Sequence, residues 1–212
     1  MRPRQAAAPA GPPARADRPG ARPATRNGLP REVRLIGGQW KRSKLPVADR
    51  PGLRPSPDRV RETLFNWLGQ NLDGWRCLDA FAGSGALGFE AASRGAAEVV
   101  LIERDAALAQ SLRASQVRLR AETVQVACAD ALAWMARCAP GRFELILLDP
   151  PFDASALLPA ALAAAAPLVA DGGLLYVEAA QALAEAALPT GYVIWRQGRA
   201  GLVHYHLLRR ST

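Results

Sequence analysis

No stretch of the sequence is long and apolar enough to span a bilayer, and its N-terminus lacks the apolar core of a secretory signal. A cytoplasmic protein without membrane contact is therefore expected. Cysteine is scarce: Cys77, Cys128 and Cys138 form an odd, scattered set of 3 with no paired metal spacing. They are expected as reduced thiols, not as disulfides or metal ligands. Histidine is scarcer still. His204 and His206 share one face of a late strand, but two ligands do not make a zinc site, so no metal is expected. Residues 1–30 lack serine, an amphipathic stripe and nearly every large apolar side chain. That excludes an organelle transit peptide from the expectations and leaves nothing to offset ordering entropy. No internal repeat is present.

What is present is basic charge, unevenly placed. Of the net +8, residues 1–61 hold 15 Lys/Arg against 4 Asp/Glu, while residues 62–212 hold 12 against 15. A basic front end on a neutral-to-acidic body is the footprint of a polyanion partner, most simply nucleic acid. Three parts are expected: a disordered basic tail (1–32), a hairpin with a helix (33–72) and an α/β domain (73–212).

Val33–Leu45 reads as two short strands turning at Gly37-Gly38. Its second arm sets Trp40 among Lys41, Arg42 and Lys44, a mixture suited to phosphate contact beside a stacking ring, or to an edge strand protected by lysines. After a rigid Gly52–Pro57 lead-in, Ser56 reads as a helix N-cap with Pro57 at the first helical position. The helix is expected to reach about Gln70, with Val60, Leu64, Trp67 and Leu68 inward and Arg59, Glu62, Thr63 and Asn66 outward. Arg54, Arg59 and Arg61 add to the candidate RNA-backbone contacts.

From Arg76 onward strands and helices alternate. Strands are expected at 76–80, 98–103, 123–127, 143–148, 173–178, 192–197 and 202–208, and helices near 86–94, 105–118, 130–139 and 155–168, with a weak one at 180–187. The last two strands are too closely joined for a crossover, so they form an antiparallel hairpin. The layout is that of a class I methyltransferase: a Rossmann-like, mostly parallel seven-stranded sheet.

Asp79-Ala80-Phe81-Ala82-Gly83-Ser84-Gly85-Ala86-Leu87-Gly88 joins the first of these strands to a helix. Its Gly83–Gly88 portion matches the G-x-G-x-x-G fingerprint, and Glu103 follows Gly83 by 20 residues at the end of the next strand. A carboxylate there accepts ribose hydroxyls, so these residues alone fit NAD and S-adenosylmethionine alike. Asp79 favours the latter, because its charge repels a pyrophosphate. Phe81 and Ala82 either line the pocket or pack in the turn. Asp130 either accepts from an adenine amino group or caps a helix.

Asp149-Pro150-Pro151-Phe152 ends an apolar strand. The prolines restrict three successive residues and force the chain out of the sheet at its carboxyl end, where ligands of open α/β sheets bind. A carboxylate, a free carbonyl and a ring held stiffly there suit a planar amine with two N–H donors and a π face.

Arg34-Leu35-Ile36-Gly37-Gly38, Gly52-Leu53-Arg54-Pro55, Asp58–Leu68, Leu78–Gly95 and the Asp149–Phe152 loop together resemble the bacterial small-subunit ribosomal RNA guanine-N2 methyltransferase family over about residues 33–208. The resemblance implies a class I fold, S-adenosylmethionine as donor and N2-methylguanine in 16S rRNA as product. It assigns the cofactor loop to Asp79, Phe81, Gly83 and Gly85, the ribose carboxylate to Glu103, the adenine-side acid to Asp130 and the target-base loop to Asp149–Phe152. The partner it implies is 16S rRNA in the small subunit or an assembly intermediate, met by a monomer. The chain departs from the pattern at Ser56-Pro57, where two threonines are expected. An adenine-N6 DNA or RNA methyltransferase is the nearest alternative, since it uses the same acceptor logic. An oxidoreductase lacks a proton-relay set here, and a vestigial RNA-binding module predicts broken loops.

Overall fold

The computed structural model describes residues 31–48, 56–151 and 156–211. The expectations for residues 1–30, for the Gly52–Pro55 lead-in with Arg54, and for Phe152 lie outside the described residues.

Two short strands, β1 (Glu32–Arg34) and β2 (Lys44–Pro46), pair antiparallel. Helix α1 (Asp58–Leu68) follows. The main sheet contains β3 (Arg76–Asp79), β4 (Glu98–Glu103), β5 (Val124–Cys128), β6 (Phe143–Leu148), β7 (Val169–Ala179), β8 (Tyr192–Ala200) and β9 (Val203–Arg210). Its order is β5-β4-β3-β6-β7-β9-β8. Only β9 runs against the rest, pairing antiparallel with both β7 and β8. The connecting helices are α2 (Ala86–Ser93), α3 (Ala106–Leu119), α4 (Ala131–Met135) and α5 (Leu157–Ala165). The sheet and its helices thus have the class I methyltransferase layout expected from the alternating pattern. The helix expected at 180–187 is reduced to one 3-10 turn at Glu185–Ala187.

Strands β4 and β6 are nearly continuous apolar runs because both faces of the sheet are covered. Alternate residues serve opposite faces. Cys77, Val99, Leu145, Tyr176 and Leu207 join one core; Leu78, Val100, Ile146, Val177 and Leu208 join the other. The first core also takes in Val33, Leu35 and Leu45 with Val60, Leu64, Phe65 and Leu68 of α1, so the N-terminal segment and the sheet bury one continuous surface.

Two local expectations fail for one reason: tertiary contacts displace local turn chemistry. Gly37-Gly38 is not a two-residue hairpin turn, since β1 and β2 are separated by residues 35–43. The glycines instead let the chain press on the end of α2. A Cβ on Gly38, whose φ is +68°, would sit 1.8 Å from the Ser93 carbonyl oxygen, while Ser93 Oγ donates to the Gly37 carbonyl at 2.6 Å. Trp40, Lys41 and Arg42 therefore lie in a turn closed by Ser43 N–H donating to the Trp40 carbonyl, not in a strand. Ser56 does not cap α1. The N-cap is Pro57 with no side-chain bond, and Gly69 ends the helix in the left-handed conformation.

Candidate active site

Four carboxyl groups meet at the carboxyl edge of the sheet. Asp79 ends β3, Glu103 ends β4, Asp149 follows β6, and Glu178 lies one residue from the end of β7. Register alignment of Asp79 with Leu147 and of Leu148 with Val177 brings the middle strands level there.

Asp79 is 1% exposed. Its Oδ2 accepts from Gly88 N–H at 3.0 Å, while Oδ1 is buried without a hydrogen-bond partner. Burial pushes its carboxyl up to about 7, against the opposing backbone N–H groups of Gly88 and Phe81. The three glycines of the loop have separate duties. Gly83 and Gly85 take left-handed φ of 52° and 77°. Gly88 lets α2 lie on the sheet, since a Cβ there would meet Leu101 Cδ2 at 2.1 Å. Glu103 ties the loop to the next turn: Gly83 N–H donates to Oε2 at 3.0 Å and Asp105 N–H to Oε1 at 2.8 Å. A carboxylate offers about four lone-pair sites, so each oxygen keeps acceptor capacity. Phe81 is half-buried against the second core, and Ala82 is buried in the first. Asp130 is exposed and caps α4, accepting from Ala133 N–H at 2.9 Å.

A buried carboxyl with a raised pKa keeps its proton longer in the folded chain than in the unfolded one. The stability it contributes is complete below the unfolded value and is lost as pH climbs to the folded value. Without ligand, thermal stability is expected to fall between about pH 4 and pH 7, and Asp79→Asn should make that fall shallower. Denaturation curves of the two proteins across that range check this; parallel pH profiles would contradict it.

Asp149 is half-buried, Pro150 buried and Pro151 exposed. Burial, then the nearby charges of Glu178 and Asp79, hold the Asp149 carboxyl well above the usual carboxylate range. Ser56, expected as a cap, is a site residue instead: its Oγ lies 2.7 Å from Glu178 Oε1 and 3.3 Å from Asp149 Oδ2. Glu178 itself is 2% exposed and also accepts from Tyr176 Oη at 2.9 Å. Sequence reading missed Glu178, although a lone acid near the end of an apolar strand was a visible signal.

Arg61 corrects an expectation outright. Taken from the sequence as an RNA contact, it is 0% exposed. It pairs with Asp58 at 2.5 Å and Glu90 at 3.5 Å and donates to the carbonyls of Ser56 and Arg34. Of the other candidate contacts, Lys41, Arg42, Lys44 and Arg59 are exposed, and Trp40 is half-buried against the core with its backbone N–H donating to Ser93 Oγ. Lys44 pairs with Glu32 at 2.7 Å.

The family described as conserved hypothetical protein 95 matches residues 33–209. The ribosomal RNA small subunit methyltransferase D of Escherichia coli is 42% identical over 182 residues, covering 85% of this chain and 91% of its own length. The chain belongs to this family. The Haemophilus influenzae protein of the same name is 44% identical over 126 residues, covering 57% of this chain and 64% of its own. A solved Escherichia coli structure superposes with a TM-score of 0.74 at 41% identity, covering 84% of this chain and 98% of its own. The family match spans the small β1–β2 sheet, α1 and the main sheet alike. Among the described residues no helix is long and apolar enough to cross a membrane, and no group of three or more His, Cys, Asp or Glu is placed to hold a metal ion.

Proposed function

We propose that the chain transfers a methyl group from S-adenosylmethionine to the exocyclic N2 of a guanine in 16S rRNA, within the small subunit or an assembly intermediate. The observation that carries this reading is the edge of four carboxyls. Its acceptor oxygens suit a ligand that brings N–H and O–H donors, an ammonium and ribose hydroxyls, more than a pyrophosphate, which brings only acceptors, and this separates the cofactor from a dinucleotide where the glycine fingerprint alone does not. The cofactor fits these residues: the unpartnered, buried Asp79 Oδ1 suits an ammonium donor, the spare capacity of Glu103 suits ribose hydroxyls, and Asp130 stands ready at the adenine side. Bound, it supplies an electrophilic methyl on a sulfonium centre.

The chain's own residues do the rest. The guanine N2 lone pair is delocalised into the ring, so the amine is a poor nucleophile. Asp149 and the Pro150 carbonyl accept its two hydrogens, which favours a pyramidal nitrogen with its lone pair aimed at the methyl. Most of the rate gain comes from positioning and preorganised acceptors. Phe152 stacks on the base, which must be splayed out of its stack to reach the loop.

The deciding experiment offers labelled S-adenosylmethionine with unmodified small subunits, naked 16S rRNA and duplex DNA, followed by digestion to nucleosides. Label in N2-methylguanosine from the subunits is expected. Label in N6-methyladenine would replace this reading with the nearest alternative. Lys41, Arg42, Lys44 and Arg59 hold phosphates in this reading. Each phosphate contact contributes roughly 0.7–0.9 to the slope of log affinity against log salt. Replacing Lys41 and Arg42 together is expected to lower that slope by about 1.5; an unchanged slope would remove both from the RNA face.

A further inference from the structure

The Ser56 hydroxyl has one hydrogen and two carboxyl neighbours. It lies 2.7 Å from Glu178 Oε1 and 3.3 Å from Asp149 Oδ2, and it can donate to only one of them. The other contact is a hydrogen bond only when the carboxyl on that side is protonated and donates to Oγ. One proton on the pair satisfies every contact in either of two arrangements. In the first, Asp149 donates to Ser56 and Ser56 donates to Glu178, whose Oε1 also takes the Tyr176 hydroxyl at 2.9 Å. In the second, every hydrogen in the chain has shifted: Glu178 donates to Ser56, and Ser56 donates to an ionised Asp149.

We propose that Glu178 is a positioning residue that shares one proton with Asp149 through the Ser56 hydroxyl, and so governs when Asp149 is free to accept hydrogens from the target amine. This rests on the methylation reading above. The first arrangement is the resting one. When the base docks, the N–H it presents to Asp149 favours the ionised carboxylate, and the resident proton passes through Ser56 to Glu178. In the transfer the nitrogen–carbon bond forms as the carbon–sulfur bond breaks with its electron pair on sulfur. The methylated nitrogen then loses one proton to Asp149, which is half-buried and can release it to water as the product leaves.

The groups facing this pair are consistent with a shared proton. Burial raises both carboxyls, Glu178 and Asp79 add like charge to Asp149, Ser56 hydrogen-bonds to both, and Glu178 has in addition the Tyr176 hydroxyl and the charge of Arg61 on α1. Tyr205 on β9 faces the same cluster beside Tyr176. With those supports, Glu178 ionises first, and its charge then holds the proton on Asp149.

The test follows the Asp149 carboxyl carbon by NMR across pH in the unliganded protein, alongside the pH dependence of kcat. In the native chain the resonance should report two coupled steps. In Glu178→Gln it should report a single step displaced downward by about one pH unit, and the acid limb of kcat should follow. Ser56→Ala should weaken the coupling, leaving only the part carried by charge, and lower kcat with little change in KM, and Ser56→Thr, which restores a hydroxyl, should recover both. Superimposable Asp149 titrations in the native chain, Glu178→Gln and Ser56→Ala would overturn the proposal. The two readings fail separately. Coupled titrations without any N2-methylguanosine would sink the methylation reading and leave the shared proton. N2-methylguanosine with uncoupled titrations would sink the shared proton alone.

Discussion

Asp149→Ala is expected to lower methyl transfer by about 10²–10⁴-fold, the range a positioned acid–base group supplies, while cofactor binding stays near native. The residue accepts a hydrogen that the target amine presents, whereas the cofactor contacts proposed above belong to Asp79 and Glu103. Asp149 touches Ser56 Oγ at 3.3 Å, and thermal denaturation of the same variant separates a loss of that contact from a loss of chemistry. Asp149→Asn should fall between Ala and the native residue, because its amide keeps one acceptor oxygen and loses the proton affinity. Single-turnover transfer with cofactor titration on the same samples checks this. A variant with Ala at 149 that turns over within about threefold of native would remove Asp149 from the chemistry.

Glu90→Ala is expected to lower folding stability by about 3–5 kcal/mol, the usual loss when one partner of a buried ion pair is removed. Glu90 is fully buried. Its Oε1 accepts from Arg94 Nε at 3.0 Å, and its Oε2 accepts from Ile36 N–H at 2.8 Å and faces the Arg61 guanidinium at 3.5 Å. Alanine would leave two buried guanidinium groups short of a counterion and one backbone donor unmet. Arg94 keeps Gln70 and the Phe65 ring, and Arg61 keeps the half-exposed Asp58, so the loss is large without being total. Urea denaturation of the Ala variant checks the figure. Combining Arg61→Met with Glu90→Ala should destabilise the chain by less than the two single losses together, because the second change removes a charge the first has already stranded. Strict additivity would show that the pair is not coupled. Arg61 also donates to the Ser56 carbonyl at 3.3 Å. The same break should therefore loosen Ser56 and lower turnover beyond the stability loss.

Asp149 was legible in the chain; the partners of Glu90 were not. The alternation of β3 through β9 with α2 through α5 is written in local terms: apolar runs of strand length, glycines at Gly83, Gly85 and Gly88, and an Asp-Pro-Pro stop after β6. Each follows from period, backbone freedom or a missing amide hydrogen, which a residue carries with it wherever the chain goes. The acidic ends of β3 and β4, and the carboxylate at the mouth of β6, were legible for the same reason. The fate of Arg61 was not. It sits in a basic segment and reads as solvated, but its environment is set by Glu90, 29 residues away on another helix. Ser56 carries the local signature of a cap, yet its hydroxyl is claimed by Glu178, 122 residues on. Gly37-Gly38 has the composition of a turn, yet it serves a close approach to Ser93. The sequence by itself determined the order of elements and the chemistry at the ends of the strands, because those depend on short-range sterics and hydrophobic period. Only the tertiary structure decided which buried charge meets which, and so which groups join the site. A buried polar group must find a partner wherever the packed chain brings one, and that choice is not local.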